Sequence, residues 1–134
     1  MRIAFASALC LIATIACAEQ GDAPFWTPSQ ADVAHVEAIV QLPDEMPVLH
    51  LGKSVRMPPK EIKSYSRFYA GITVKGRRTI HGIYLHHAGD QPPGIYIVGE
   101  KQIPAIADGG CNVIEFFYDV TADKMTSILC NISP

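Results

Sequence analysis

From residue 111 to residue 130 the chain alternates with a period of two. Ile114, Phe116 and Tyr118 stand between Val113, Glu115 and Phe117. After a polar break at Thr121-Ala122-Asp123-Lys124, a second β-prone run extends from Met125 to Cys130. A single polar break between two such runs predicts a β-hairpin with its turn there. Pairing Asp119 with Lys124 sets Tyr118 opposite Met125, Phe116 opposite Ser127 and Ile114 opposite Leu129. Strand alternation puts these on one face, which is apolar and is assigned to the core. The other face then carries Cys111, Val113, Glu115 and Phe117 beside Thr126, Ile128 and Cys130. Cys111 and Cys130 fall diagonally across it, slightly long for the ~4.4–6.8 Å Cα separation of a disulfide, and Gly109-Gly110 is placed to bend the backbone and close the gap. Closing a loop of that size is worth roughly 3 kcal/mol in chain entropy.

A second alternating run precedes it. Phe68, Ala70, Ile72 and Val74 interleave with Tyr69, Gly71 and Thr73, and Lys75-Gly76 marks a turn. A two-residue loop pairs Val74 with Arg77. A three-residue loop pairs Val74 with Arg78, matches Phe68 with Tyr84 and keeps an apolar face, so it is preferred. Ile95 to Val98 reads as a short strand. Upstream, the period changes to that of a helix: Val33, Val36, Ile39 and Val40 form one stripe. Thr27, Pro28 and Gln30 read as N-cap, N1 proline and capping-box residue, and Leu42-Pro43 ends the helix. The four prolines of the stretch from Pro43 to Pro59, both included, predict an extended crossing with one short edge strand, and Lys60 to Tyr65 a helical turn. The fold class that follows is α+β: one N-terminal helix packed on a curved antiparallel sheet of four or five strands, with one disulfide. Its outline resembles the cystatin-like folds. No strand-helix-strand crossover is visible, so a parallel sheet is not expected.

The chain's 134 residues correspond to one domain. Arg2, the apolar run Ile3–Ile15 and Ala16-Cys17-Ala18 read as a secretory signal peptide over 1–18. The run is too short for a membrane span, which needs about 20 residues. Residues 19–26 form a flexible lead and 27–134 the folded domain. Thr14-Ile15-Ala16-Cys17 also resembles a bacterial lipoprotein signal, with Cys17 as the acylated residue, although Thr14 stands where leucine is usual. Either reading leaves two cysteines in the body, an even count suited to an oxidising compartment. The expected location is periplasmic or secreted, or the outer membrane if Cys17 is lipidated.

Tyr65-Ser66-Arg67-Phe68-Tyr69-Ala70-Gly71, Ala107-Asp108-Gly109-Gly110-Cys111, Tyr118-Asp119 and Cys130-Asn131 together resemble a group of small exported bacterial proteins of unassigned function. The resemblance covers the second half of the chain. It implies export and disulfide pairing and carries no activity.

Charge adds one lead. Residues 19–52 hold six acidic residues and no lysine or arginine; residues 53–89 hold eight basic residues and Glu61 alone; from residue 90 onward there are six acidic residues and two lysines. Lys75, Arg77 and Arg78 crowd one hairpin tip, with Arg67 upstream among Tyr65, Phe68 and Tyr69. Such a surface steers an acidic partner protein or another anionic surface. The export signal and near-neutral total charge disfavour nucleic acid. Candidate chemistry is thin. His86 and His87 point to opposite faces of a strand, and His81 and His87 stand about 20 Å apart along it, so no metal site is expected. No Gly-x-Ser-x-Gly elbow and no glycine-rich phosphate loop is present. The second reading is a small periplasmic hydrolase using Glu115 or a histidine in a cleft between helix and sheet, marked by a pocket that holds Glu115 beside a histidine or arginine. The reading preferred from sequence is a non-catalytic binding protein without cofactor: an inhibitor, immunity-type or accessory protein of the envelope, binding through Lys75, Arg77, Arg78 and Arg67. A structural outer-membrane lipoprotein is the third reading.

Overall fold

The alternation is realised as an open sheet of six strands. Along the chain come β1 (Phe25–Trp26), α1 (Gln30–Ile39), β2 (Glu45–Pro47), β3 (Ser54–Arg56), β4 (Ser66–Val74), β5 (Arg77–Leu85), β6 (Gly94–Ile97), β7 (Val113–Asp119) and β8 (Lys124–Cys130). The computed structural model describes residues 24–42, 45–47, 54–56, 61–86, 90–106 and 110–130, and of 45–47, 54–56 and 111 the backbone. Strands β4, β5, β7 and β8 follow one another antiparallel. The free edge of β4 is shared: β1 pairs antiparallel at Gly71 and Ile72, and β6 runs parallel along Ser66 to Tyr69. β2 and β3 pair with each other as a separate ribbon. With six strands and one ten-residue helix, the fold is more β than the expected α+β arrangement of four or five strands. The miscount has a physical source. β1 has two residues, too few to show alternation; β6 corresponds to the short strand read at Ile95–Val98, but it takes an unexpected parallel position on β4, reached without a crossover helix.

Both long hairpins depart from the expected register. The β4–β5 loop has two residues, not three, so Val74 pairs with Arg77 and Phe68 with Ile83. Lys75 and Gly76 both have positive φ, 51° and 74°. Two such residues make the turn whose twist matches the flanking strands. In β7–β8, Asp119 pairs with Lys124 and Tyr118 with Met125 as expected, and then a bulge intervenes: Phe117 meets Ser127, Phe116 meets Ile128 and Ile114 meets Cys130. Thr126 is the extra residue, and its hydroxyl donates to the Phe117 carbonyl. One extra residue reverses the facing of everything beyond it. Ile128 and Cys130 therefore join the core on the helix side, not the outward face assigned to them from sequence. Cys130 thereby leaves the outward face on which it was expected. Cys130 is buried and disulfide-bonded. The Cys111 side chain lies outside the described residues, and a Cys111–Cys130 bond is not among the described contacts.

The sheet has two covered faces. On one, α1 lays Val33, Val36 and Val40 over Tyr69, Ile80, Tyr84, Ile114, Phe116 and Tyr118. On the other, Phe68, Ile83, Leu85 and Val113 lie under Tyr96, Val98, Ile103 and Ile106. Fully burying a side chain of this kind stabilises by about 1.5–3 kcal/mol. The helix begins later than expected. Ser29, not Thr27, is the N-cap: its Oγ accepts from Asp32 N–H, and Asp32 accepts from Ser29 N–H in return. The Ser29 hydroxyl and then its N–H, both donating to the Asp32 carboxylate, hold that carboxyl below its usual range. Ser29→Ala is expected to lower stability by about 1 kcal/mol, read as a shift in the urea midpoint; no shift would mean that tertiary packing alone holds the helix start.

Candidate functional site: a cleft between α1 and β6

Gln30 is followed three and four residues on by Val33 and Ala34, and these in turn four and three residues on by Glu37, the spacings that share a helix face. Across from them, Ile95 and Ile97 alternate with Tyr96 on β6. Together these six residues line a cleft of about 580 Å³, within the range of small-ligand sites. Its walls are mostly apolar. Tyr96 turns the other way and stacks on Phe68, ring centroids 4.9 Å apart, which fixes β6 with its two isoleucines toward α1.

Glu37 ends a buried polar network. Its Oε1 accepts from Arg67 Nε at 2.6 Å and from the Tyr69 hydroxyl at 2.9 Å. With the Tyr69 proton given to the carboxylate, the Tyr84 hydroxyl, 2.8 Å away, donates to Tyr69. Arg67 Nη1 also donates to the carbonyls of Ile62 and Tyr65. The Arg67 side chain is 7% exposed and that of Glu37 is 22% exposed. Burial, reinforced by the neighbouring hydroxyl and carboxylate, raises Tyr69 far above the usual phenol range, and burial likewise raises Tyr84. Both hydroxyls therefore stay protonated, and the network presents a carboxylate of set orientation at the cleft wall.

A second polar cluster lies on the opposite face of the sheet. His81 is inserted between two carboxylates, with Nδ1 2.9 Å from Glu100 and Nε2 2.7 Å from Glu115. Its ring stacks on Phe117 with centroids 4.6 Å apart. Glu115 thus has the histidine neighbour that the hydrolase reading asked for. Both ring nitrogens are occupied, however, and the cleft is lined by other residues on the other face. Burial by itself would lower the His81 pKa, but hydrogen bonds and charge from Glu115 and Glu100 outweigh it and hold the imidazole above its ordinary 6.5. Such a group stabilises fully below its unfolded-state pKa, and the contribution is lost as pH rises through the higher folded value. Urea stability is therefore expected to fall from pH 6 toward pH 9 more steeply in the parent than in His81→Gln. Equal slopes would detach His81 from that dependence.

The four cations singled out at the hairpin do not form one surface. Arg67 is buried at the far end of β4. Arg77 Nε reaches Asp119 at 2.9 Å. Arg78 lies over the Trp26 ring at 3.8 Å, a cation–π contact. Lys75, Arg77 and Arg78 all stay exposed at the turn, the last two while engaged in these contacts. Glu37, Tyr69, Tyr84 and Glu100 were not singled out from sequence. Glu37 had a signal: it follows Val33 by four residues and so borders the apolar stripe. Cys17 and His87 lie outside the described residues. Among the described residues, no group of three or more His, Cys, Asp or Glu is placed to share a metal ion, and no helix is long and apolar enough to cross a membrane. Set against known proteins, the chain matches no family model, no curated protein and no solved structure.

Proposed function

We propose that this is a small non-catalytic binding protein, exported to the envelope or beyond, whose ligand seat is the cleft between α1 and β6. The observation that carries the reading is the cleft itself: apolar walls from Val33, Ala34, Ile95 and Ile97 with one carboxylate, Glu37, held by Arg67 and Tyr69. A site of that make-up takes an apolar group bearing a hydrogen-bond donor. An inhibitor, immunity-type or accessory role against an envelope or extracellular protein fits the chain's size and its signal-like first eighteen residues. The basic tip is the weaker seat, because Arg77 and Arg78 are already engaged. Mass spectrometry of the mature N-terminus separates secretion, starting at Glu19, from lipidation at Cys17.

The cleft is tested with N-phenyl-1-naphthylamine, a neutral apolar fluorophore carrying one N–H. Saturable fluorescence enhancement is expected, and Ala34→Trp, which fills the cleft from the exposed side of the helix, is expected to weaken it at least about tenfold. Circular dichroism checks that the variant is folded. A probe that does not saturate, or one indifferent to Ala34→Trp, removes the cleft as the seat.

A further inference from the structure

We propose that the outer edge of β6 accepts an extended segment of a partner polypeptide as an added strand, seating its alternate side chains in the cleft with a lysine or arginine against Glu37. This rests on the cleft being the binding seat and adds the class of partner.

The ladder between β4 and β6 decides which backbone groups are open. Gly94 N–H donates to the Tyr65 carbonyl at 3.3 Å and Val98 N–H to the Tyr69 carbonyl at 2.9 Å. Residues 94, 96 and 98 thus turn their N–H and C=O groups to β4. Strand alternation turns those of Ile95 and Ile97 the other way. Among the described residues no strand pairs with β6 on that side, and neither isoleucine has a further hydrogen-bond partner there. Two donors and two acceptors at strand spacing match another backbone, which is the requirement of strand addition. A lipid tail or a small aromatic offers no such row. The edge also lacks the usual protections: Gly94-Ile95-Tyr96-Ile97 carries no charge and no proline, and Ile95 is 49% exposed.

The side chains specify the rest. Ile95 and Ile97 face the cleft, so a strand laid beside them turns every second residue toward α1. Arg67 is in register with Ile95 and binds Glu37, which places the carboxylate at the Ile95 end. Only Oε1 of Glu37 is used by Arg67 and Tyr69. A cationic side chain fits at that end, and an apolar one fits two residues along, against Ile97. An acidic residue in the first position is opposed by the carboxylate.

The probe is a fluorescein-labelled peptide, acetyl-Thr-Lys-Thr-Val-Thr-Ile-Thr-amide, titrated with the full chain by anisotropy. Three changes are compared: lysine to glutamate in the peptide, N-methylation of one or the other alternate set of its residues, and Ile95→Pro in the protein. The Ile95 N–H faces outward, where an edge strand tolerates proline, and thermal melting checks the variant. Saturable binding is expected. Ile95→Pro, the glutamate peptide and one of the two N-methylated peptides should each weaken it at least about tenfold, while the other N-methylated peptide binds as the parent does. No saturable binding, or equal binding of both N-methylated peptides, overturns strand addition without depending on the protein variant. A dimer in sedimentation that Ile95→Pro dissociates gives the edge to a second copy and also overturns it. If the naphthylamine binds and Ala34→Trp removes it while the peptide fails, the cleft stands and strand addition falls; if both probes fail, both readings fall.

Discussion

Glu37→Ala lowers the free energy of unfolding by about 3–5 kcal/mol, the scale of removing one partner from a buried ion pair. The substitution leaves the Arg67 guanidinium 7% exposed with two backbone carbonyls and no counter-charge. It also takes the acceptor from the Tyr69 hydroxyl. Most of that loss disappears when both charges go. Arg67→Met with Glu37→Leu is expected to fall within about 1 kcal/mol of the parent, because two costly desolvations disappear with the attraction between them. A double-mutant cycle from urea titrations measures the coupling. Additive losses would show that the pair does not act as a unit, and a loss below about 1 kcal/mol for Glu37→Ala alone would place the carboxylate in effective contact with water.

Gly82→Ala costs about 1–3 kcal/mol, the range for overfilling a packed core. In most strand interiors that exchange is favourable, since glycine weakens a strand. Here an added Cβ would lie 2.0 Å from Cζ of Phe116 and 2.2 Å from its Cε1. The ring has no easy escape: Phe116 is fully buried, edge-on to Tyr69 and Tyr84. Gly71 has the same role where β1 pairs with β4: a Cβ there would come 2.4 Å from the Trp26 ring and carbonyl. If the clash is the cause, Phe116→Leu should recover part of the Gly82→Ala loss in the double variant. A Gly82→Ala protein at least as stable as the parent, by thermal or urea unfolding, would show that the ring shifts freely.

The two effects differ in how far a reader of the sequence could have anticipated them. Gly82 lies between His81 and Ile83 in a run that reads plainly as a strand, and a glycine in a strand interior often marks a close approach. Which ring approaches depends on register, and the register turned on loop length. Val74 could pair with Arg77 or Arg78, and the choice rested on the apolar match of one face. That criterion failed because both faces are covered: Phe68 and Ile83 form a second core as apolar as the first. The positive φ of Lys75 and Gly76 belongs to the shorter loop. In the last hairpin, the first two pairs after the turn were read correctly. The bulge at Thr126 then reversed the inward set, moving Cys130 into the core and Leu129 out of it. No residue type there announces a bulge.

Local order was therefore available from the residues alone. Alternation marked strands along 68–74, 112–120 and 125–130, with a partner strand after Lys75-Gly76, where the structure has them within a few residues, and it set Ile114, Phe116 and Tyr118 facing inward. Of the Val33-Val36-Ile39-Val40 stripe, the three valines mark the buried side of the helix, while Ile39 is 40% exposed. Each of these depends on neighbours within a few positions, where steric and hydrophobic preferences act directly. Tertiary structure decided everything that joins distant positions: β6 lying parallel on β4, Glu37 meeting Arg67 thirty residues away, His81 meeting Glu115 thirty-four away. The cleft belongs to that second class. Its walls come from a helix and an edge strand more than fifty residues apart, and a contact of that kind is selected by how whole faces pack, which no short window of sequence encodes.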